Sequence, residues 1–190
     1  TETFAPDGQG GFTGQYGVFD RLTVLAGGEH ELRTKNLLRY RFAATGELLE
    51  IRDRNDNVMT LTHAGGKLVH VVDTAGRTIT FSYGSNGRLA SITDPLPRTV
   101  QFGYDVAGNL SSVTDARGNP TTYTYDTDHQ MRTIVDRRGH TIVTNTYDAA
   151  KRVVTHQSDA YASETTYEYD EVNRRTVLVR DAGSGGLAIR

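Results

Sequence analysis

The sequence predicts an all-β protein, a single curved antiparallel sheet made of consecutive hairpins with a period of 21 residues. Three observations predict it. The segments "YGSNGRLASITD" (83–94), "YDVAGNLSSVTD" (104–115) and "YDTDHQMRTIVD" (125–136) share one skeleton at a fixed spacing. The stretches between them alternate with the strand period of two, as in "TVQFGY", which puts Val100, Phe102 and Tyr104 on one face. Leu, Ile, Val and Phe make up about 22% of the chain, close to the ~20% level below which highly charged chains stay disordered. With a net charge of only -2 and 10 tyrosines, that content fits a thin sheet rather than a thick core.

Residues 1–37 stand outside the repeat. They are Gly-rich, then carry two short apolar stretches around Gly27 and Gly28, which reads as a hairpin capping the first repeat. Residues 38–181 hold about seven repeats, and 182–190, "AGSGGLAIR", read as a flexible tail. The aromatic column runs Phe42, Thr62, Tyr83, Tyr104, Tyr125, Tyr147, Tyr169, at spacings of 20, 21, 21, 21, 22 and 22. Four residues on come Gly46, Gly66, Gly87, Gly108, His129, Lys151 and Asn173, a column suited to positive φ in a turn. Lys151 suits that backbone poorly. Next comes Leu48, Leu68, Leu89, Leu110, Met131, Val153 and Arg175, then Ile51, Val71, Ile92, Val113, Ile134, His156 and Leu178. This β-branched run reads as the returning strand. Asp53, Asp73, Asp94, Asp115 and Asp136 open a second turn, as in "DARGN", which the Asp caps through local backbone bonds.

One period therefore holds two strands and two turns, about 20 residues by ordinary strand and hairpin lengths. Turns fall near 43–47, 63–67, 84–88, 105–109 and 126–130, and near 54–57, 74–77, 95–98, 116–119 and 137–140. Leu110 and Val113 lie three apart, on opposite faces of a regular strand. Either a bulge lies between them or Leu110 packs at the turn.

Several function classes lack their signatures. No basic run supplies an electrostatic footprint for nucleic acid. No apolar run approaches the roughly 18 residues that span a bilayer. The absence of cysteine removes disulfides and thiolate chemistry. The six histidines, His30, His63, His70, His129, His140 and His156, show no helical pair. His63 and His70 approach across a hairpin, but two ligands without a patterned carboxylate do not make a zinc site. "GGFTG" lacks the Lys and helix of a phosphate loop. No carboxylate pair stands out as a glycosidase dyad, and no "GxSxG" elbow is present. Asn109-Leu110-Ser111 fits a glycosylation acceptor, yet Asn109 has a turn role. No residue is assigned a catalytic, cofactor-binding or metal role, and the chain is expected not to be an enzyme.

The columns, written together as "YDxxGxLxxVxDxxG", resemble the YD repeat of the RHS (rearrangement hotspot) family over residues 38–181. "GGFTGQYGVFDRLTVL" and "YRFAATGELLEIRDRNDN" are likewise similar to the N-terminal part of bacterial RHS proteins. The resemblance implies a ribbon of hairpins spiralling into a hollow shell. In bacterial polymorphic toxins and insecticidal toxin complexes such shells hold a C-terminal toxic domain, and teneurins use a similar shell in adhesion. The implied role is a container wall without catalysis. The implied partners are further shell repeats and an encapsulated toxin domain. The implied location is secreted or cell-surface in a bacterium, after a period in the cytoplasm. Two departures stand out. No effector domain follows residue 190, and the family's "DPxG"-type self-cleavage motif is missing, since Asp94-Pro95 is followed by Pro97 where that motif needs Gly. The chain is thus expected to be a section of a longer shell, prone to self-association through its edge strands. A second reading is an extracellular glycan-binding module using tyrosine rows such as Tyr123 and Tyr125.

Overall fold

A computed structural model describes residues 3–8, 11–14, 19–158, 163–170, 172 and 175–181. The repeat becomes strands. A small pair, β1 (Phe4–Pro6) and β2 (Phe12–Gly14), stands by itself. The chain then divides into two units, Thr1–Arg98 and Thr99–Arg190. The first holds β3 (Arg21–Val24), β4 (His30–Arg33), β5 (Arg39–Phe42), β6 (Leu48–Arg52), β7 (Val58–Ala64), β8 (Lys67–Val72), β9 (Thr78–Tyr83) and β10 (Leu89–Thr93). The second holds β11 (Thr99–Tyr104), β12 (Leu110–Thr114), β13 (Pro120–Tyr125), β14 (Met131–Val135), β15 (Thr141–Tyr147), β16 (Val153–Ser158), β17 (Ser163–Asp170) and β18 (Arg175–Asp181). From β3 to β10, and from β11 to β18, every strand pairs antiparallel with its chain neighbours in the same unit, in order. Among the described residues the one helical turn is a 3-10 turn at Ala26–Gly28. The predicted tail, 182–190, lies outside the described residues.

One loop explains the order. In Asp105–Asn109 the Asp105 N–H donates to the Asn109 carbonyl at 2.9 Å, and the Gly108 N–H returns to the Asp105 carbonyl at 3.0 Å. A turn followed by a left-handed residue is the usual three-residue hairpin loop, and its twist matches that of the strands. The same pair of bonds closes the loops that begin at Leu25, Thr34, Ala43, Asp53, Asp73, Gly84, Asp115, Asp126, Asp136 and Asp148. Both turns of the 21-residue period are thus one device. Gly108 sits at φ 84°, where a side chain is strained, yet His129 (64°) and Lys151 (66°) take the same backbone. Asp94–Arg98 keeps only its outer bond, because Pro97 has no N–H to return.

The open question at Leu110 resolves as a bulge. Tyr104 pairs with Leu110 and Gly103 with Ser112, so Ser111 is the extra residue. Leu110 and Val113 then share a face. Equivalent bulges follow the loops at Phe42–Leu48, Tyr83–Leu89, Tyr125–Met131 and Tyr147–Val153.

Two columns need correction. Leu68 lies opposite His63, so His63 and not Thr62 holds the aromatic position. The reason is the loop, where Ala64 pairs with Lys67 around Gly65 (φ 57°) and Gly66 (72°), a two-residue turn that needs two left-handed residues. In the seventh repeat Tyr169 pairs with Thr176 in an unbroken register, so Arg175 is not the Leu-column residue. The bulge is missing there.

The two faces differ. Cross-strand pairs Tyr40–Ile51, Leu61–Val71 and Phe81–Ile92 form an apolar stripe in the first unit, and Phe102–Val113 and Tyr123–Ile134 form one in the second. Each such pair contributes about 0.2–1 kcal/mol. The opposite face is polar, with hydroxyl pairs Thr124–Thr133 (2.6 Å) and Thr146–Thr155 (2.7 Å). No apolar residue among those described is buried, and Met59, Ile79 and Leu96 are 41, 36 and 70% exposed.

Gly108→Val tests the loop assignment. A β-branched residue at φ 84° is expected to cost about 1–2 kcal/mol in a denaturant titration. An unchanged midpoint would contradict the turn.

Candidate functional site

The loops carry a row of carboxylates that the sequence singled out. Asp115 Oδ1 accepts the N–H of Arg117 (2.8 Å) and of Asn119 (2.9 Å), while Asn119 Nδ2 donates to both carboxylate oxygens. Asp53 and Asp105 are held by Asn57 and Asn109, whose N–H donates to Oδ1 and whose Nδ2 donates to Oδ2. At Asp73, Asp94 and Asp148 the fourth residue is an arginine whose guanidinium closes the loop. These donors favour the charged form. The Asn amide (Asp53, Asp105), the guanidinium (Asp73, Asp94) and the backbone N–H four residues on (Asp115, Asp136, Asp148) each hold the carboxyl below the ordinary carboxylate value. At Asp126 burial is the largest influence and opposes this, but the N–H groups of Gln130 and Asp128 together with the Arg132 and Lys151 charges outweigh it. These acids are committed to turns. Asp94-Pro95 sits in one of them, with Asp94 Oδ1 on the N–H groups of Leu96 and Arg98.

The tyrosine column does a second job. The hydroxyl of Tyr83 donates to the Leu68 carbonyl (2.9 Å), Tyr147 to Met131 (2.7 Å) and Tyr169 to Val153 (2.7 Å). Each acceptor lies beside the bulge of the preceding repeat, where the ladder is interrupted. A cation covers each ring: Lys67 on Tyr83 (5.1 Å), Arg132 on Tyr147 (5.8 Å) and Arg152 on Tyr169 (4.3 Å). These three rings are therefore ties between repeats rather than open platforms. Tyr125 is half-buried, and burial pushes its phenol up, with Tyr123 and Asp105 adding to the effect.

The histidines scatter. His70 pairs with Thr62 and His63 with Leu68, so the two point to opposite faces and share no ligand. His129 Nδ1 meets Asn109 Oδ1 at 2.7 Å, which ties successive loops, while the Nδ2 that would carry a glycan donates to Asp105 Oδ2 at 2.9 Å. His140 approaches Asp136 at 4.0 Å, and His30 lies by the Phe12 ring. Among the described residues no three His, Asp or Glu side chains gather as a metal site.

The sequence reading missed a polar row within the apolar stripe. Asn145, opposite His156, takes the place of the aromatic–aliphatic pair of other repeats. Its Oδ1 meets His156 Nδ1 at 2.7 Å and its Nδ2 donates to the Met131 carbonyl at 3.1 Å. Thr165 stands on the other side of His156. Asn145 and Thr165, each 7% exposed, are the buried residues among those described. The signal was present, since His156 is the one polar member of the aliphatic column.

Comparison with known proteins agrees with the periodicity. The RHS repeat family model matches residues 63–99 and 104–141. No curated protein sequence matches the chain. A crystal structure of TcdB2-TccC3 is similar at a TM-score of 0.56 and 19% identity, covering 88% of this chain and 10% of that one. A structure of the Photorhabdus luminescens Tc holotoxin pore matches at 14% identity over 84% of this chain and 11% of that one, with a TM-score of 0.47. The chain spans about a tenth of the length of these structures. At such identity the first likeness is one of fold.

Two outcomes follow from the ties. Tyr147→Phe removes the bond to the Met131 carbonyl and is expected to cost about 1 kcal/mol in a urea melt. The depressed loop carboxyls set the acid response. At low pH the unfolded chain binds more protons than the folded one, so stability holds above about pH 5 and falls as pH drops below about 4. Thermal melts from pH 7 to pH 3 would show this, and a midpoint flat to pH 3 would contradict the carboxylate loops.

Proposed function

We propose, from the match of residues 63–99 and 104–141 to the RHS repeat model, that the chain is a section of the wall of an RHS/YD-repeat shell enclosing a passenger domain. The observation that carries the reading is the uncovered sheet. Strand after strand presents an apolar stripe on one face, yet no described apolar residue is buried. A freestanding domain hides such a stripe against a second layer. A wall leaves it to whatever lies beyond the sheet. The likeness in fold to a stretch of the TcdB2-TccC3 structure supports the same reading.

In this reading the wall performs no catalysis. Its partners are further repeats and a C-terminal toxin passenger, and the bacterial parent is held in the cytoplasm before reaching the cell surface or the medium. The wall also continues at its strand edges. Among the described residues β18 pairs with β17 alone, which leaves a row of backbone donors and acceptors open to another strand.

Protease protection tests enclosure. In the parent polypeptide the passenger domain is expected to resist trypsin while the wall is intact and to be digested once the wall is opened. Immediate digestion of the passenger beside an intact wall would overturn the reading. The isolated 190-residue chain is expected to self-associate as its concentration rises in light scattering. A strict monomer would show that it protects its own edges.

A further inference from the structure

The polar face of the first unit carries a rank of arginines. Arg21 lies directly opposite Arg33, Arg33 opposite Arg39, and Arg39 opposite Arg52, on four adjacent strands. Directly opposed residues share a face with Cα atoms about 4.5–5.5 Å apart, and like charges placed so repel. One half of the rank is neutralised internally. Asp56, from the loop after β6, accepts from Arg39 Nη2 at 2.6 Å and lies 3.7 Å from Arg52 Nη1. Arg52 also holds Glu50 at 2.8 Å. A single carboxylate thus sits between two opposed guanidinia.

The other half has no such bridge. Arg21 and Arg33 are both exposed, and among the described residues neither makes an ion pair. The adjacent acid, Asp20, is turned to the Lys35 N–H, which donates to its Oδ1 at 2.9 Å. In the neighbouring row Glu31 faces Arg41, which is already clamped by Glu29 at 2.7 Å.

We propose that the Arg21–Arg33 pair is a docking site for a carboxylate side chain of an acidic polypeptide partner, held between two guanidinia as Asp56 is held between Arg39 and Arg52. Charge complementarity selects the partner. Guanidinium forks match carboxylates in a bidentate geometry. The same rank supplies the precedent for a carboxylate, since Asp56 already fills the equivalent position between Arg39 and Arg52. The repulsion between Arg21 and Arg33 destabilises the free chain and is relieved when the partner's acid arrives.

The test is a fluorescence titration of the 190-residue chain with a labelled oligoglutamate peptide at low salt. Binding is expected to weaken about tenfold in R21Q/R33Q, the scale of one or two charge-assisted bonds. It is expected to be unchanged in R137Q/R138Q, which removes an exposed pair in the other unit. The free R21Q/R33Q chain is expected to melt about 1–2 °C higher, because opposed like charges are gone. Four results would overturn the site: no binding of oligoglutamate, equal binding by R21Q/R33Q, a lower melting point for that variant, or inorganic polyphosphate or duplex DNA outcompeting oligoglutamate in an Arg21- and Arg33-dependent way. The lower melting point would mean that an internal acid already bridges the pair.

Discussion

The fold depends on a carboxylate turned back onto its own loop. In Asp53, Asp73, Asp115 and Asp136 one oxygen accepts the backbone N–H groups of the second and fourth residues on. Two donors that a hairpin would otherwise leave to water are satisfied at once, and the chain is reversed with a defined twist. In the loop that begins at Gly84 another residue supplies the acceptor. Gly84 opens its loop without a side chain, and Asn86 Oδ1 takes the Arg88 N–H at 3.0 Å. A loop closed by local bonds does not need a core beneath it. That matters in a sheet whose described apolar residues all remain partly exposed.

The bulge is the second constraint, and it is coupled to the tyrosines. An extra residue after the loop lets the Leu column and the aliphatic column share one face, which strict alternation forbids. It also interrupts the ladder beside a carbonyl. The phenols of Tyr83, Tyr147 and Tyr169 satisfy that carbonyl from the next repeat. Adjacent loops are tied as well, by His129 on Asn109 and by Lys151 on Asp128 at 3.0 Å. Such exposed contacts contribute little each. The stabilising links run from one repeat to its neighbour, which gives each unit the near-neighbour energetics of repeat proteins.

A sheet built this way specialises its faces. The apolar stripe runs through ring–aliphatic pairs and is broken by Asn145 and His156, whose polar atoms satisfy each other. On the other face hydroxyl pairs fill the second unit, while the first carries opposed arginines with only part of their charge neutralised. The first face is apolar and partly exposed, and the second carries charge.

The sequence by itself determined the all-β class, the period, the loops of the central repeats and the glycines that take left-handed backbone in them, because each rests on local chemistry; the left-handed Leu37 and Asp56 carried no such signal. Gly108 and Asp115 announce their turns whatever pairs across the strand. Register was decided by the tertiary structure, because it depends on which residue stands opposite. The two-residue turn at Gly65-Gly66 moved His63 into the aromatic position, although Thr62 kept the four-residue spacing to Gly66. Ser111 became the bulge residue only when Leu110 met Tyr104. The facing of Arg21 and Arg33, 12 residues apart, is likewise a property of pairing. So is the Asn145–His156 contact, formed between groups that the linear pattern had placed in ordinary strand positions. Cross-strand neighbours are set by loop length and bulges together, and a change of one residue in either shifts every partner that follows.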